Sequence, residues 1–364
     1  MFETYVVDLF RLRSPEQKNR IERLDFLRGC AIMLVLLHHS GIPNGNWILA
    51  FHMPLLFFLS GYSSGCLGKK DGSFYTFFLN RFRRLVIPYY LFEGLNFAVW
   101  EISLILQRSW QDVPDALYAV FTCQNTDAYT GYYGRLWFLP CMFVCDILVY
   151  GVKRLCHARR GRMLLCSFAL LAASWYSANH LPIRLPFASD SALFAAVFFL
   201  WGYLLTPVVS KLLESRKLLL DLLVGAGAFG VLRYCIVVKW ANCFMYINQY
   251  TPFFWTVLAG FSGSVLFLIL AKWLGGTIGK ISAVKNFILW YGYNSLAVFP
   301  IHLSIKIWLV SRYGWGMSWQ WLLLAMLVFT IPLVNMVRIW FPFMLGDFSR
   351  ILRFLRSKIP SLSA

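Results

Sequence analysis

Two adjacent imidazoles, His38 and His39, sit near the end of the apolar run LDFLRGCAIMLVLLHHSG, and the guanidinium of Arg28 lies eleven residues before His39. At 3.6 residues per helical turn, eleven residues make about three turns, so Arg28 and His39 share a face roughly 16 Å apart. Ionisable side chains inside an apolar span are costly in a bilayer and read by default as functional. An imidazole titrates near neutrality and can take up or give up a proton. A guanidinium holds phosphate through paired hydrogen bonds better than an ammonium does. The pair therefore predicts an anionic ligand held at one membrane face and chemistry nearer the other.

Composition says what must position these groups. The 364 residues are 59% hydrophobic and 14% charged, with a mean hydropathy of +0.62. Soluble domains carry about 25% charged residues, so the chain reads as a membrane protein. The net charge of +18 could suggest nucleic acid. Nearly all Lys and Arg fall in short stretches between apolar runs, as topology requires, so no nucleic-acid partner is expected. Nine cysteines, an odd number lying mostly in apolar runs, are not a disulfide framework. Cys141 and Cys145, one turn apart, read as core packing, whereas Cys123 and Cys243, in outer loops, form a weak candidate pair. The first twenty residues lack an uninterrupted apolar segment, so no cleaved signal peptide is expected.

Apolar runs long enough to cross the hydrocarbon core lie near 24–42, 46–67, 85–106, 136–151, 163–180, 189–209, 218–238, 252–271, 287–309 and 319–345. The fold class is all-α: a polytopic membrane helix bundle of about ten transmembrane helices over 1–345. It is followed by a basic amphipathic segment, 346–364, expected to lie at the interface. Alternate connections divide the 34 Lys and Arg into 26 on one side and five on the other, with three inside spans. The positive-inside bias places both termini in the cytoplasm of a multi-pass cell membrane protein. There is no internal repeat, which counts against an inverted-repeat transporter.

Orientation converts positions into depths. His39, His52, Trp137, His302 and Lys306 all fall toward the outer half of four separate spans, with His302 and Lys306 one turn apart on one face. Arg28, with Asp25 one turn before it as a partner, and Arg81, Arg83 and Arg84 gather on the cytoplasmic side. The plain alternatives are a topology-setting role for the arginines, a structural role for His52, snorkelling for Lys306 and an interfacial belt role for Trp137. Glu93, Glu101 and Asp146 carry no assigned role. The histidines have no thiolate or carboxylate companions that would make a metal site, and none is expected.

The segments RLDFLRGCAIMLVLLHHS, FHMPLLFFLSGY, NRFRRLVIPYY, LWFLP and YGYNSLAVFPIHL resemble, in order over residues 22–310, the integral-membrane acyltransferase-3 family, which O-acylates cell-surface and exported glycans. The family's Arg-x10-His pattern falls on Arg28 and His39, and its Arg-x-x-Arg pattern on Arg81 and Arg84. The resemblance is to the stand-alone polysaccharide-modifying branch. The extra span and esterase-like domain of another branch are not expected here.

The resemblance implies transfer of an acyl group, acetyl in the first instance, from cytoplasmic acyl-CoA to a glycan or lipid-linked saccharide hydroxyl. Acetyl-CoA is then a donor substrate rather than a resident cofactor, and the other partners are membrane lipids. His39 would be the catalytic base or acyl carrier, and Arg28, Arg81, Arg83 and Arg84 would bind the phosphates of the donor. His52, Trp137, His302 and Lys306 would orient acceptor or carbonyl. His38, pointing about 80° to 100° off the Arg28/His39 face, is the less expected catalyst. The rival from another class is a glycan or lipid-linked sugar exporter, which does not account for aligned inner arginines and a deep histidine. A sensor or scaffold is a third reading, and no soluble signalling domain supports it.

Overall fold

A computed structural model describes residues 21–68, 72–98, 113–123, 136–313 and 317–349. Helix α1 is Glu22–His39, and a single turn, Asn46–Leu49, leads into α2, His52–Leu67. Helix α3, Phe74–Arg81, passes through a π-helical turn, Phe82–Val86, into α4, Ile87–Asn96. There follow α5 (Val113–Thr122), α6 (Phe138–Leu155), α7 (Arg160–His180), α8 (Ser189–Leu204), α9 (Thr206–Glu214) and α10 (Leu218–Arg233). The chain ends in α11 (Phe253–Thr277), α12 (Ser282–Tyr293), α13 (Ser295–Tyr313) and α14 (Trp319–Trp340).

Among the described residues, five helices are long and apolar enough to cross a membrane, or six if one bent pair forms a single crossing. They are Asn46–Leu67, Pro186–Leu204, Leu218–Val238, Phe253–Lys280 and Trp319–Trp340. Helix α1 occupies its expected run but carries Glu22, Arg23, Asp25 and Arg28, and α6 carries Asp146, Lys153 and Arg154. Those charges make the two helices less apolar than the five just named.

The expected ninth span, 287–309, is not one helix. It breaks at Asn294, and α12 and α13 meet at 91°. Asn294 accepts the amides of Ala297 and Val298 on its backbone carbonyl, so it opens α13 as a new helix, while its own amide nitrogen returns to the Trp290 carbonyl. Further along, Pro300 lacks the amide that would bond the Leu296 carbonyl.

The all-α reading also needs a small correction before α11. Strands β1 (Asn242–Phe244) and β2 (Gln249–Thr251) pair antiparallel, Cys243 opposite Tyr250, in the connection before α11. Arg184 clamps this hairpin to α8, binding both oxygens of Asp190 and donating to the Tyr246 carbonyl at 3.0 Å.

The weak Cys123–Cys243 pairing does not occur, since all nine cysteines are free thiols. Burial pushes the Cys123 thiol up to about 12 and the Cys243 thiol up as well, leaving both protonated and unreactive. Cys141 and Cys145 are fully buried, as core packing requires. The expected amphipathic segment beyond Ser349, the outer part of the third span beyond residue 98, Glu101, Arg108 and Arg135 lie outside the described residues.

Two glycine contacts set the helix spacing. A Cβ on Gly61 would strike the Phe199 carbonyl and one on Gly202 the Phe58 carbonyl, so α2 and α8 meet backbone to backbone. A Cβ on Gly29 would strike the Ile288 carbonyl and one on Gly292 the Asp25 carbonyl, which fixes α12 across the N-terminal half of α1. Close approach through small residues is how membrane helices gain packing without a hydrophobic drive.

Gly292→Ala is expected to cost about 1–3 kcal/mol through overpacking against backbone. Gly227→Ala, where a Cβ meets nothing, should leave stability unchanged. Thermal unfolding of the two detergent-solubilised variants checks the contrast.

Candidate active site

Arg28, Arg81, Arg83 and Arg84 do not gather in one place. Arg28, Arg81 and Arg84 line a single cavity of about 220 Å³ with Ser60, Ser295, Ile32, Leu56, Phe138 and Phe299. That volume is below the range of pockets that engulf a drug-sized ligand, so it fits one part of a larger molecule. Arg28 donates through Nη2 to Ser63 Oγ at 2.7 Å and has Asp25 at 3.5 Å. Arg81 pairs with Asp146 at 3.2 Å and lies over the Phe77 ring. Two buried carboxylates from α1 and α6 thus hold two guanidiniums at the cavity wall. Ser63 and Asp146 were not assigned from the sequence. An acid in the run CMFVCDILVY was visible there, but its partner on another helix was not.

Arg83 is placed elsewhere. Its Nε donates to the Gly346 carbonyl at 2.6 Å, and its guanidinium lies 5.2 Å from the Phe348 ring centroid. Gly346 has φ +76°, and a Cβ there would strike the Arg83 carbonyl. Arg83 therefore ties the segment after α14 to the π-helical turn. The turn itself follows from Pro88, which removes the amide that would bond the Arg84 carbonyl; the Ile87 amide reaches back to Phe82 instead.

On the other side of the bundle, four imidazoles converge. Ring centroids of His39 and His302 are 5.3 Å apart, His38 and His39 5.5 Å, and His38 and His52 4.9 Å. His52 and His302 each hold their Nδ1 2.9 Å from a carbonyl one turn earlier, Ile48 and Val298 respectively. A ring nitrogen facing a carbonyl must carry the proton, so Nε2 of both rings is left with a lone pair. His302 is fully buried, whereas His39 is partly exposed. Lys306, one turn after His302, is close enough to interact electrostatically with His38, His39 and His302. Among the described residues, no three metal-ligating groups stand at ligand spacing.

The cavity and the cluster share two helices. Helix α1 carries Arg28 and His39; α13 opens with Ser295 and Leu296 in the cavity and carries His302 to the cluster. Phe299 belongs to both places, since it lines the cavity, packs on Phe138 at 4.7 Å and meets His302 edge-on at 5.8 Å. Trp137 is buried at the head of α6 with its indole edge against Phe138, next to this aromatic wall and outside the imidazole ring contacts. Such an arrangement can hold an anion at one end and move a proton or an acyl group at the other.

Residues 21–337 match the family model for an acyltransferase domain, acyltransferase-3. No curated protein and no solved structure matches the chain.

Arg83→Ala is expected to lower stability by about 1–3 kcal/mol, the cost of an orphaned charge-assisted hydrogen bond. It should also speed protease cleavage after Trp340. Limited proteolysis of wild-type and variant membranes is the check, and an unchanged cleavage rate would remove the tether role.

Proposed function

The chain belongs to the acyltransferase-3 family, and on that premise we propose that it moves an acetyl group from cytoplasmic acetyl-CoA to a hydroxyl of a cell-surface or exported glycan. The fold we attach to this reading has ten crossings and both termini in the cytoplasm, in accord with the 26-to-five division of Lys and Arg. The observation that carries the reading is that one helix, α1, bears both an arginine of the basic cavity and a histidine of the imidazole cluster.

In this mechanism Arg28, Arg81 and Arg84 hold phosphates of the donor by charge-assisted hydrogen bonds. Arg83, occupied by Gly346, contributes to the shape of the turn that presents Arg84. The extended arm of the donor passes the Phe138–Phe299 pair and presents the thioester carbonyl to His39. His39 removes the proton of the acceptor hydroxyl as its oxygen attacks the carbonyl. The C–O bond forms, the C–S bond breaks, and the departing thiolate takes up the proton. Transfer through an acyl-imidazole on His39 gives the same products in two steps. His52 and Lys306 border the place where the acceptor enters.

His39→Ala should reduce label transfer from radiolabelled acetyl-CoA to cell-envelope glycan by about a hundredfold or more, the usual contribution of a positioned base. Undiminished transfer in correctly inserted protein would eliminate the reaction, and glycan export without transfer would point to a transporter. Arg28→Ala and Arg84→Ala should each weaken acetyl-CoA binding by about ten- to a hundredfold, as expected when a charged hydrogen bond worth about 1.5–3 kcal/mol is lost. Equilibrium binding to purified protein checks this, and unaltered affinity in both would remove the phosphate-holding role.

A further inference from the structure

The imidazole cluster holds a fully buried lone pair that the reaction above leaves unused. His302 shows no accessible surface, its Nδ1 is committed to the Val298 carbonyl, and its Nε2 is buried without a hydrogen-bond partner. An orphaned acceptor of this kind costs about 1–3 kcal/mol and is retained where something uses it. The ring nearest to it across the helix interface is His39, at 5.3 Å between centroids. Phe299 meets the same ring edge-on, at 5.8 Å between centroids.

We propose that His302 is the positioning residue of His39, accepting the His39 N–H on its Nε2 when His39 takes up the acceptor proton. This rests on the reaction proposed above and divides its labour between two histidines. Before reaction, His39 needs one ring nitrogen with a lone pair facing the hydroxyl and its proton on the other nitrogen. A fixed neutral acceptor beside that second nitrogen selects this tautomer. It then stabilises the imidazolium formed as the O–H bond breaks and the C–O bond forms. The proton passes from His39 to the departing thiolate, and His302 ends as it began. An orienting carboxylate plays this part in hydrolytic triads; an imidazole locked by its own helix supplies the lone pair here without burying a negative charge. Its backing is local, because Val298 lies one turn before His302 on the same helix.

The other groups near His39 are less suited. His38 precedes it on the same helix and points off the shared face, His52 meets His38 rather than His39, and Lys306 has no lone pair when charged.

The test compares His302→Leu, which keeps the bulk and loses the acceptor, with His302→Gln, whose amide oxygen reaches the place of Nε2. Membranes carrying each are given radiolabelled acetyl-CoA and the cell-envelope glycan fraction of the producing cells, and kcat is separated from the acetyl-CoA KM. His302→Leu should lower kcat about a hundredfold or more with KM within about twofold, and His302→Gln should stay within about tenfold of wild type. Equal losses in the two variants, a loss in KM alone, or wild-type kcat in His302→Leu would each overturn the role. A fully active His39→Ala would instead overturn the underlying reaction. Transfer lost in His39→Ala but intact in His302→Leu would overturn only the partnership.

Discussion

The backbone contact between α1 and α12 at Gly29, Ile288, Gly292 and Asp25 is the constraint on which the rest of the site depends. It seats the short helix α12 directly on the N-terminal half of α1, leaving no room for a side chain between them. Two residues later, at Asn294, the chain turns through 91° and α13 starts beside Arg28. From that starting point α13 runs alongside α1, so Ser295 reaches the arginine cavity and His302 reaches His39. Were the two helices spaced by ordinary side chains, the imidazoles would separate and the cavity would lose a wall.

Buried charge is organised around this frame in matched pairs. Asp25 stands behind Arg28 and Asp146 behind Arg81, and each carboxylate is almost wholly buried while its guanidinium reaches the cavity. A charge left alone in a bilayer is expensive, and a paired one facing a cavity is tolerated. The acids therefore serve to fix where the guanidinium donors point. Arg83, two residues from Arg81, is turned to a different task by the π-helical turn and the carbonyl of Gly346.

Much of this was legible in the residues themselves. The all-helical membrane character and the placing of Arg28 and His39 on one helix follow from local periodicity, which a single chain displays directly. The break in the ninth run was not read, because hydropathy measures how apolar a segment is and not which way it points. Its signals were present as Gly292, the cap-forming Asn294 and Pro300. The pairing of His39 with His302 and of Arg81 with Asp146 joins residues 263 and 65 positions apart, and no local pattern encodes such contacts. The hairpin before α11 was hidden for another reason. Its strands are three residues each and draw on Arg184 for support.

The aromatic wall of Phe138, Phe299 and Phe57, with ring centroids 4.7 and 5.2 Å apart, has a consequence for the cell rather than for the reaction. A bundle that joins a basic cavity and a set of imidazole rings along one helix risks becoming a leak for ions. Closely packed rings offer neither hydration nor counter-charge. A sodium ion or hydronium would have to shed its water to pass, and the insulation of the bilayer is kept.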